Sequence, residues 1–245
     1  MVIFKYLQLN IKEYSIFIEK LSSIPITQAD IRNITSQAML LEANKNVLNV
    51  LTSFIFFIDN AKTYLTRKYR NNEEVISEFK KLKSHHYDNS FAYRFLTKLR
   101  NYSIHMGLPL TGLGFDANLD TEIPEEMVGD VLLYVNIDAL KKEKKLFAGM
   151  HHEVLNLKDD VDLRPLIQEL SKSILEIQKF IYLVQMKHIE KCINYIEEIS
   201  GKYKTETNDI KLYYVSKRIN YDAELIVYDI PYDMINDFKK YKNSW

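Results

Sequence analysis

From Ser36 to Tyr69, Leu40, Leu41, Val47, Leu51, Phe54, Ile55, Ile58, Ala61 and Leu65 recur at the three- and four-residue spacing of one helical stripe. From Asp162 to about Ser200, Leu166, Leu170, Ile174, Ile177, Ile181, Val184, Ile189, Ile193 and Ile196 repeat the pattern. Two long helices with one apolar side each need partners to bury it, so a helical bundle is the expected outcome. The first run ends in "RKYRNN", basic and then Asn-rich, in keeping with the helix dipole and C-cap preferences, and the second runs out before Gly201. Six Gly and five Pro in 245 residues are too few for an all-β chain full of turns, and they leave no glycine-rich nucleotide loop.

Between the long runs, the spacing predicts a shorter helix over Glu73 to Leu82. After "SHHYDNS" a third helix begins near Ser90, with Phe91, Phe95, Leu99, Tyr102 and Met106 on its inner face and Gly107 and Pro109 ending it. The stretch from Met106 to Leu140 has no Lys or Arg but carries Asp116, Asp120, Glu122, Glu125, Glu126, Asp130 and Asp138, which predicts an acidic loop at 111–131 followed by the β-like "DVLLYVNID". "KLYYVSK" and "AELIVYDIP" near the end read as two strands, and the N-terminal "VIFKYLQLN" is expected to pair with them. The resulting expectation is a mainly α chain. An antiparallel helical bundle occupies 1–205, with its core at about 36–200. A small β appendage comes from the chain termini, and its C-terminal part, 206–245, packs on the same domain.

Lys plus Arg and Asp plus Glu both number 33, so no global field draws the chain to a polyanion; any such binding has to come from a local patch. Cys192 is the only cysteine, which excludes an intramolecular disulfide and a thiolate-rich metal cluster and suits a reducing cytoplasm. The start lacks the basic and apolar regions of a signal peptide, and "VLNVLTSFIFFID" is too short and too interrupted by Asn49, Thr52 and Ser53 to span a bilayer. A cytoplasmic protein with no membrane partner is expected.

One stretch carries candidate chemistry: "LRNYSIHMGLPL", with Arg100, Asn101 and then His105 after four intervening residues. Arg32-Asn33 and Arg70-Asn71 lack a His at this spacing; the third pair differs in lying on an amphipathic helix directly before a helix stop. It also lies in the most basic region: from Arg67 to His105, Arg67, Lys68, Arg70, Lys80, Lys81, Lys83, Arg94, Lys98 and Arg100 face only Glu73, Glu74, Glu78 and Asp88. That excess of about five positive charges is enough for a local phosphate-attracting surface. At about 100° per residue, Lys98, His105, Arg94 and Asn101 fall roughly 60° to 120° to one side of the inner stripe, and Asn101 and His105 are close enough to touch. Arg100 lies about 140° from His105, so a second helix, from a second protomer, is expected to complete any shared site. The same residues also suit a plain polar flank, with His105 favoured near the helix C-terminus by the dipole.

With Arg100, Asn101 and His105 in this order on a helix that ends at Gly-x-Pro, the chain resembles the HEPN superfamily, small helical bundles with an Arg-x4-6-His motif and a polar residue directly after the Arg. The resemblance covers Ser36 to Pro109 and extends to the helix near Asp162 to Ser200. It implies a metal-independent endoribonuclease whose site forms across a homodimer, acting as a toxin or phage-defence effector, with a protein antitoxin or regulator as a further partner. It implies catalytic roles for Arg100, Asn101 and His105, with Arg94 and Lys98 binding RNA; no metal or cofactor is required. In that chemistry the substrate's own 2′-OH is the nucleophile, a His exchanges the protons and an Arg stabilises the charge on the phosphorane oxygens. Some relatives have lost the activity, so the alternative is a catalytically inactive HEPN-like interaction or RNA-binding module. One subgroup of antitoxin-paired toxins has a Tyr two residues after the motif His, where this chain has Gly107.

The remaining clusters point elsewhere. His85-His86 and His151-His152-Glu153 set neighbouring imidazoles about 100° apart on a helix, poor for chelation, and are expected at the surface or in loops. His188 and Cys192 lack a third ligand, and a buried Cys beside a partly exposed His is expected there. The tyrosines, Tyr213, Tyr214 and Tyr228 on the proposed strands included, are expected to be structural, with base stacking as their other use.

Overall fold

The computed structural model describes residues 2–23, 36–117, 129–157, 161–203, 210–219 and 222–242. Its helices are α1 (Val2–Ser22), α2 (Ser36–Lys68), α3 (Glu73–Asn89), α4 (Phe91–His105), the short α5 (Ile137–Lys141) and α6 (His151–Leu155), the long α7 (Leu163–Lys202), and α8 (Tyr232–Lys242). Strands β1 (Gly112–Ala117), β2 (Gly129–Val135) and β3 (Val161–Asp162) form an antiparallel sheet in that order, and β4 (Lys211–Ile219) and β5 (Asp222–Asp229) form a separate antiparallel hairpin. The chain is thus mainly α with a small antiparallel appendage. It divides into two compact units, 1–181 and 182–245, with the division inside α7.

In the first unit, α2 buries Val47, Leu51, Phe54, Ile58, Ala61 and Leu65 of the expected stripe together with Val50 and Phe57, while Leu40 and Ile55 are half-buried and Leu41 at its start is exposed. The N-terminal segment is the helix α1 and not a strand of the appendage. Leu7, Asn10, Tyr14 and Leu21 are its buried positions, so a helical period running through to Leu21 outweighs the β-branched residues at its start. Phe4 meets Phe57 of α2 with ring centroids 5.6 Å apart, and Tyr6 meets Phe56 edge-on at 6.3 Å.

Helix α3 continues past Leu82 to Asn89 because Phe79 and His86, seven residues apart, share one buried face. Asn72 caps its start, the side chain accepting from the Val75 N–H. Ser90 then closes α3 and opens α4: its N–H donates to His86 O at 3.0 Å, its Oγ accepts from the Tyr93 N–H at 3.0 Å, and its hydroxyl donates to Glu169 on α7.

The expected acidic loop is narrower than 111–131, because β1 and β2 take both of its ends, paired from Gly112↔Tyr134 to Ala117↔Gly129. Alternation along β2 buries Val131, Leu133 and Val135, and that inward set fixes the register. Asp120, Glu122, Glu125 and Glu126 lie outside the described residues. Asp130 comes within 3.9 Å of Arg164, and Asp162 opens α7 by accepting from the N–H groups of Arg164 and Leu133, both at 3.1 Å. In the second unit, Ile193, Ile230 and Ile235 form a buried cluster with Ile189, Ile196, Ile210 and Phe238 against it, and Lys239 pairs with Glu197.

Candidate functional site

Helix α4 positions every residue of the proposed site, and its roll differs from the expected one. The buried side consists of Ala92, Tyr93, Phe95, Leu96 and Leu99, whereas Met106 is 53% exposed. Phe54 packs edge-on against Tyr93 at 5.1 Å from α2, and Phe147 covers Phe95 and Tyr102 at 6.2 and 6.4 Å. Packed from two sides, the helix is rolled by roughly 70° from the stripe through Phe91 and Met106.

That roll separates the two arginines. Arg94 turns back onto the end of α3, where Nη1 donates to Tyr87 O and Asp88 O, both at 2.7 Å, and Nη2 donates to Glu153 Oε2 at 2.8 Å. It satisfies the last carbonyls of α3 and ties α6 to them, a cation at a helix C-terminus as the dipole favours. Its expected role on phosphate competes with these internal bonds. Lys98 is half-buried and has no ion pair among the described residues.

Arg100 lies at the edge of the core beside α2. Its Nη1 donates to Asn101 Oδ1 at 3.3 Å, and its Nε, like that of Arg94, is buried without a hydrogen-bond partner among the described residues. Arg100 lines an open cleft of about 470 Å³ together with Tyr6 of α1 and Thr52, Phe56 and Asp59 of α2. His105 is exposed in the last turn of α4, and its ring has no hydrogen-bond partner among the described residues. Asn101 is therefore joined to Arg100 rather than to His105. Arg100 and Asn101 are brought together, while His105 stands apart in its own chain.

Sequence reasoning missed Tyr6, Phe56 and Asp59 as neighbours of Arg100. Asp59 and Phe56 are three apart, a signal of a shared α2 face, but Tyr6 belongs to the segment read as a strand. The loop that follows the motif is held by Asn44, wholly buried on α2: its Oδ1 accepts from the Leu110 N–H at 2.8 Å, and its Nδ2 donates to Leu110 O at 3.1 Å and Leu40 O at 2.9 Å. Gly107 enters that loop at φ +135°, a conformation that side-chain-bearing residues rarely adopt.

The histidine clusters also differ from expectation. His86 is a buried residue of α3, stacked on Tyr93 at 6.1 Å, with Glu176 3.4 Å from its Nε2. Only a neutral or well-paired ring fits such a place, and burial holds its pKa below the usual imidazole value. His151 is half-buried with Nε2 2.8 Å from Lys141 O, and Cys192 is exposed rather than buried, its Sγ 3.8 Å from His188 Nε2. Among the described residues no three His, Cys, Asp or Glu side chains are grouped so as to hold a metal ion, and no helix is long and apolar enough to cross a membrane.

No family model matches the chain, and neither a curated protein nor a solved structure matches it.

Proposed function

We propose that the chain is a HEPN-type, metal-independent endoribonuclease, cytoplasmic and homodimeric, acting as a toxin or phage-defence effector under a protein antitoxin or regulator. Arg100 carries the reading: an arginine joined to Asn101 and lining an open cleft between α1, α2 and α4. Such a group is arranged to receive a phosphate oxygen, and in a water-poor rim its charge acts more strongly than on an open surface. His105, exposed at the end of the same helix and without a hydrogen-bond partner among the described residues, is available to take the 2′-OH proton from RNA. The attack closes a 2′,3′-cyclic phosphate and releases a 5′-OH, and DNA lacks the nucleophile. Because the two side chains leave α4 in different directions, the reading requires the His of one protomer to work with the Arg of its partner. The second reading, an inactive helical interaction or RNA-binding module, is favoured by one observation: Arg94 is bound to α3 and Glu153 instead of facing solvent.

The deciding experiment incubates purified wild type, His105→Ala and Arg100→Ala with total RNA in EDTA and analyses the fragment ends. Cyclic-phosphate ends from the wild type, reduced by about 10²- to 10⁴-fold in each folded variant, are expected. Equal behaviour of all three would move the assignment to the binding module.

A further inference from the structure

The cleft that Arg100 lines has walls that the ribonuclease chemistry leaves unused. Tyr6 of α1 and Phe56 of α2 are 50% and 47% exposed and meet edge-on there, with ring centroids 6.3 Å apart and planes at 85°. Two rings at a right angle make a corner in which a flat guest stacks on one and meets the edge of the other. Thr52, Phe56 and Asp59, at i, i+4 and i+7, share one face of α2, which brings Asp59 to the same cleft. Among the described residues the Asp59 carboxylate has no hydrogen bond or ion pair; the Thr63 hydroxyl donates to the Asp59 backbone carbonyl instead. Arg100 and Asp59 thus border one open space of about 470 Å³ without pairing with each other.

That volume falls within the range of small-molecule sites, about 300–1,000 Å³. The two rings suit a flat aromatic body, the guanidinium suits an anion, and the carboxylate, which only accepts, suits N–H donors. A nucleotide carries all three on one molecule, and the carboxylate selects among the four RNA bases. Guanine alone sets two neighbouring donors, N1–H and the 2-amino group, on its pairing edge, so that both carboxylate oxygens are used. Adenine and cytosine place a ring-nitrogen acceptor beside their amino group, and uracil flanks its one N–H with two carbonyls, so each turns a lone pair toward a carboxylate oxygen. An apolar helix laid over the rings would instead strip water from Asp59 and Arg100 and give them nothing in return.

We propose that this cleft holds a guanine nucleotide, with the base on Phe56 and Tyr6, its N1–H and 2-amino group donating to Asp59, and its phosphate at Arg100. Where that nucleotide is part of an RNA strand, the proposal rests on the ribonuclease reading and makes Asp59 the residue that sets its base specificity, for a guanosine beside the phosphate that Arg100 stabilises.

The test reads binding without cleavage. Fluorescein-labelled 2′-O-methyl hexamers, in which the nucleophile is blocked, are all uridine or carry one central guanine, adenine or cytosine, and their anisotropy with the full chain is measured at one fixed salt concentration. The guanine hexamer should bind about 10-fold more tightly than the other three. Asp59→Asn should abolish that preference, and Phe56→Ala should weaken guanine-hexamer binding by about 5-fold or more, whereas Phe56→Tyr, which keeps the ring, should bind as the wild type does. Calorimetry with guanosine and uridine 5′-monophosphates separates the sources: selective binding of the guanosine monophosphate with no hexamer preference makes free nucleotide the ligand, and a hexamer preference with weak monophosphate binding makes it the strand. No preference for guanine in either format, or a preference that survives Asp59→Asn, would overturn the proposal. So would a Phe56→Ala protein that loses self-association in sedimentation while its hexamer affinities stay unchanged, which would make a second copy the occupant. Guanine preference without cleavage of total RNA would keep this site and end the ribonuclease reading; cleavage with no guanine preference would do the reverse.

Discussion

Arg94 and Arg100 are six residues apart on one helix, yet their surroundings give them opposite work. Arg94 spends its two terminal nitrogens on two α3 carbonyls and Glu153, so its removal would loosen the α3–α4 corner; Arg100 lines a cleft instead, and the Nε of each is buried without a hydrogen-bond partner among the described residues. His86 shows the same dependence on surroundings. Burial is the main cause that lowers its pKa, His85 adds to the effect and the nearby Glu176 carboxylate opposes it. A base whose folded pKa is depressed leaves the unfolded chain binding more protons, so stability is complete above the unfolded value near 6.5 and falls as pH drops through it toward the folded one. Urea midpoints measured at about pH 7.5 and 5.5 should therefore fall toward acid, and His86→Gln should flatten the difference. An unchanged midpoint in the wild type would show that His86 gains its proton without cost. The pair "HH" announces a titratable site but not which ring is inside; helix α3 had to reach Asn89 before His86 came to share the face of Phe79.

At the scale of elements, the most consequential contact is the clamp of Asn44 on Leu110, which joins residues 66 apart in sequence and fixes the path of the chain as it leaves the motif helix. Asn44→Ala leaves the N–H and C=O of Leu110 buried and unpaired and should cost about 1–3 kcal/mol. Hydrogen exchange at residues 107–111 should rise with that loss; protection equal to wild type would mean that the loop is held by something else. A polar residue at an interior helix position is visible in the sequence, but its partner is not, because a backbone group of any distant loop satisfies it equally well. The same limit explains the roll of α4. Helical period established that a helix runs from Ser90 to Met106, whereas the side it buries depended on Phe54 and Phe147 arriving from two other segments. For α1, a nine-residue window was too short to separate a helix from a strand, and Tyr14 and Leu21 beyond it decided the matter.

For the whole molecule, the separate exits of Arg100 and His105 from α4 make a quantitative prediction about the proposed dimer. If each site takes its His from one protomer and its Arg from the other, mixing inactive Arg100→Ala and His105→Ala proteins should restore activity. Random exchange makes half of the dimers mixed, with one of two sites intact in each, so about a quarter of wild-type RNA cleavage is expected. A mixture as silent as its components would rule out a site shared in this way. The sequence alone determined the class of the fold, since apolar side chains at a 3.6-residue period with few Gly and Pro bury well only as packed helices, and alternating β-branched and aromatic residues near the C-terminus form strands wherever they lie. It also determined which residue types stand together on α4. Tertiary structure decided the rest: that Arg94 is bound internally while Arg100 borders a cleft, that His86 is inside and Cys192 outside, and that both faces of the β4–β5 hairpin remain exposed. Period and propensity are local properties of the chain, whereas burial and hydrogen-bond partnership depend on which distant segment arrives, and that is settled only when the whole chain packs.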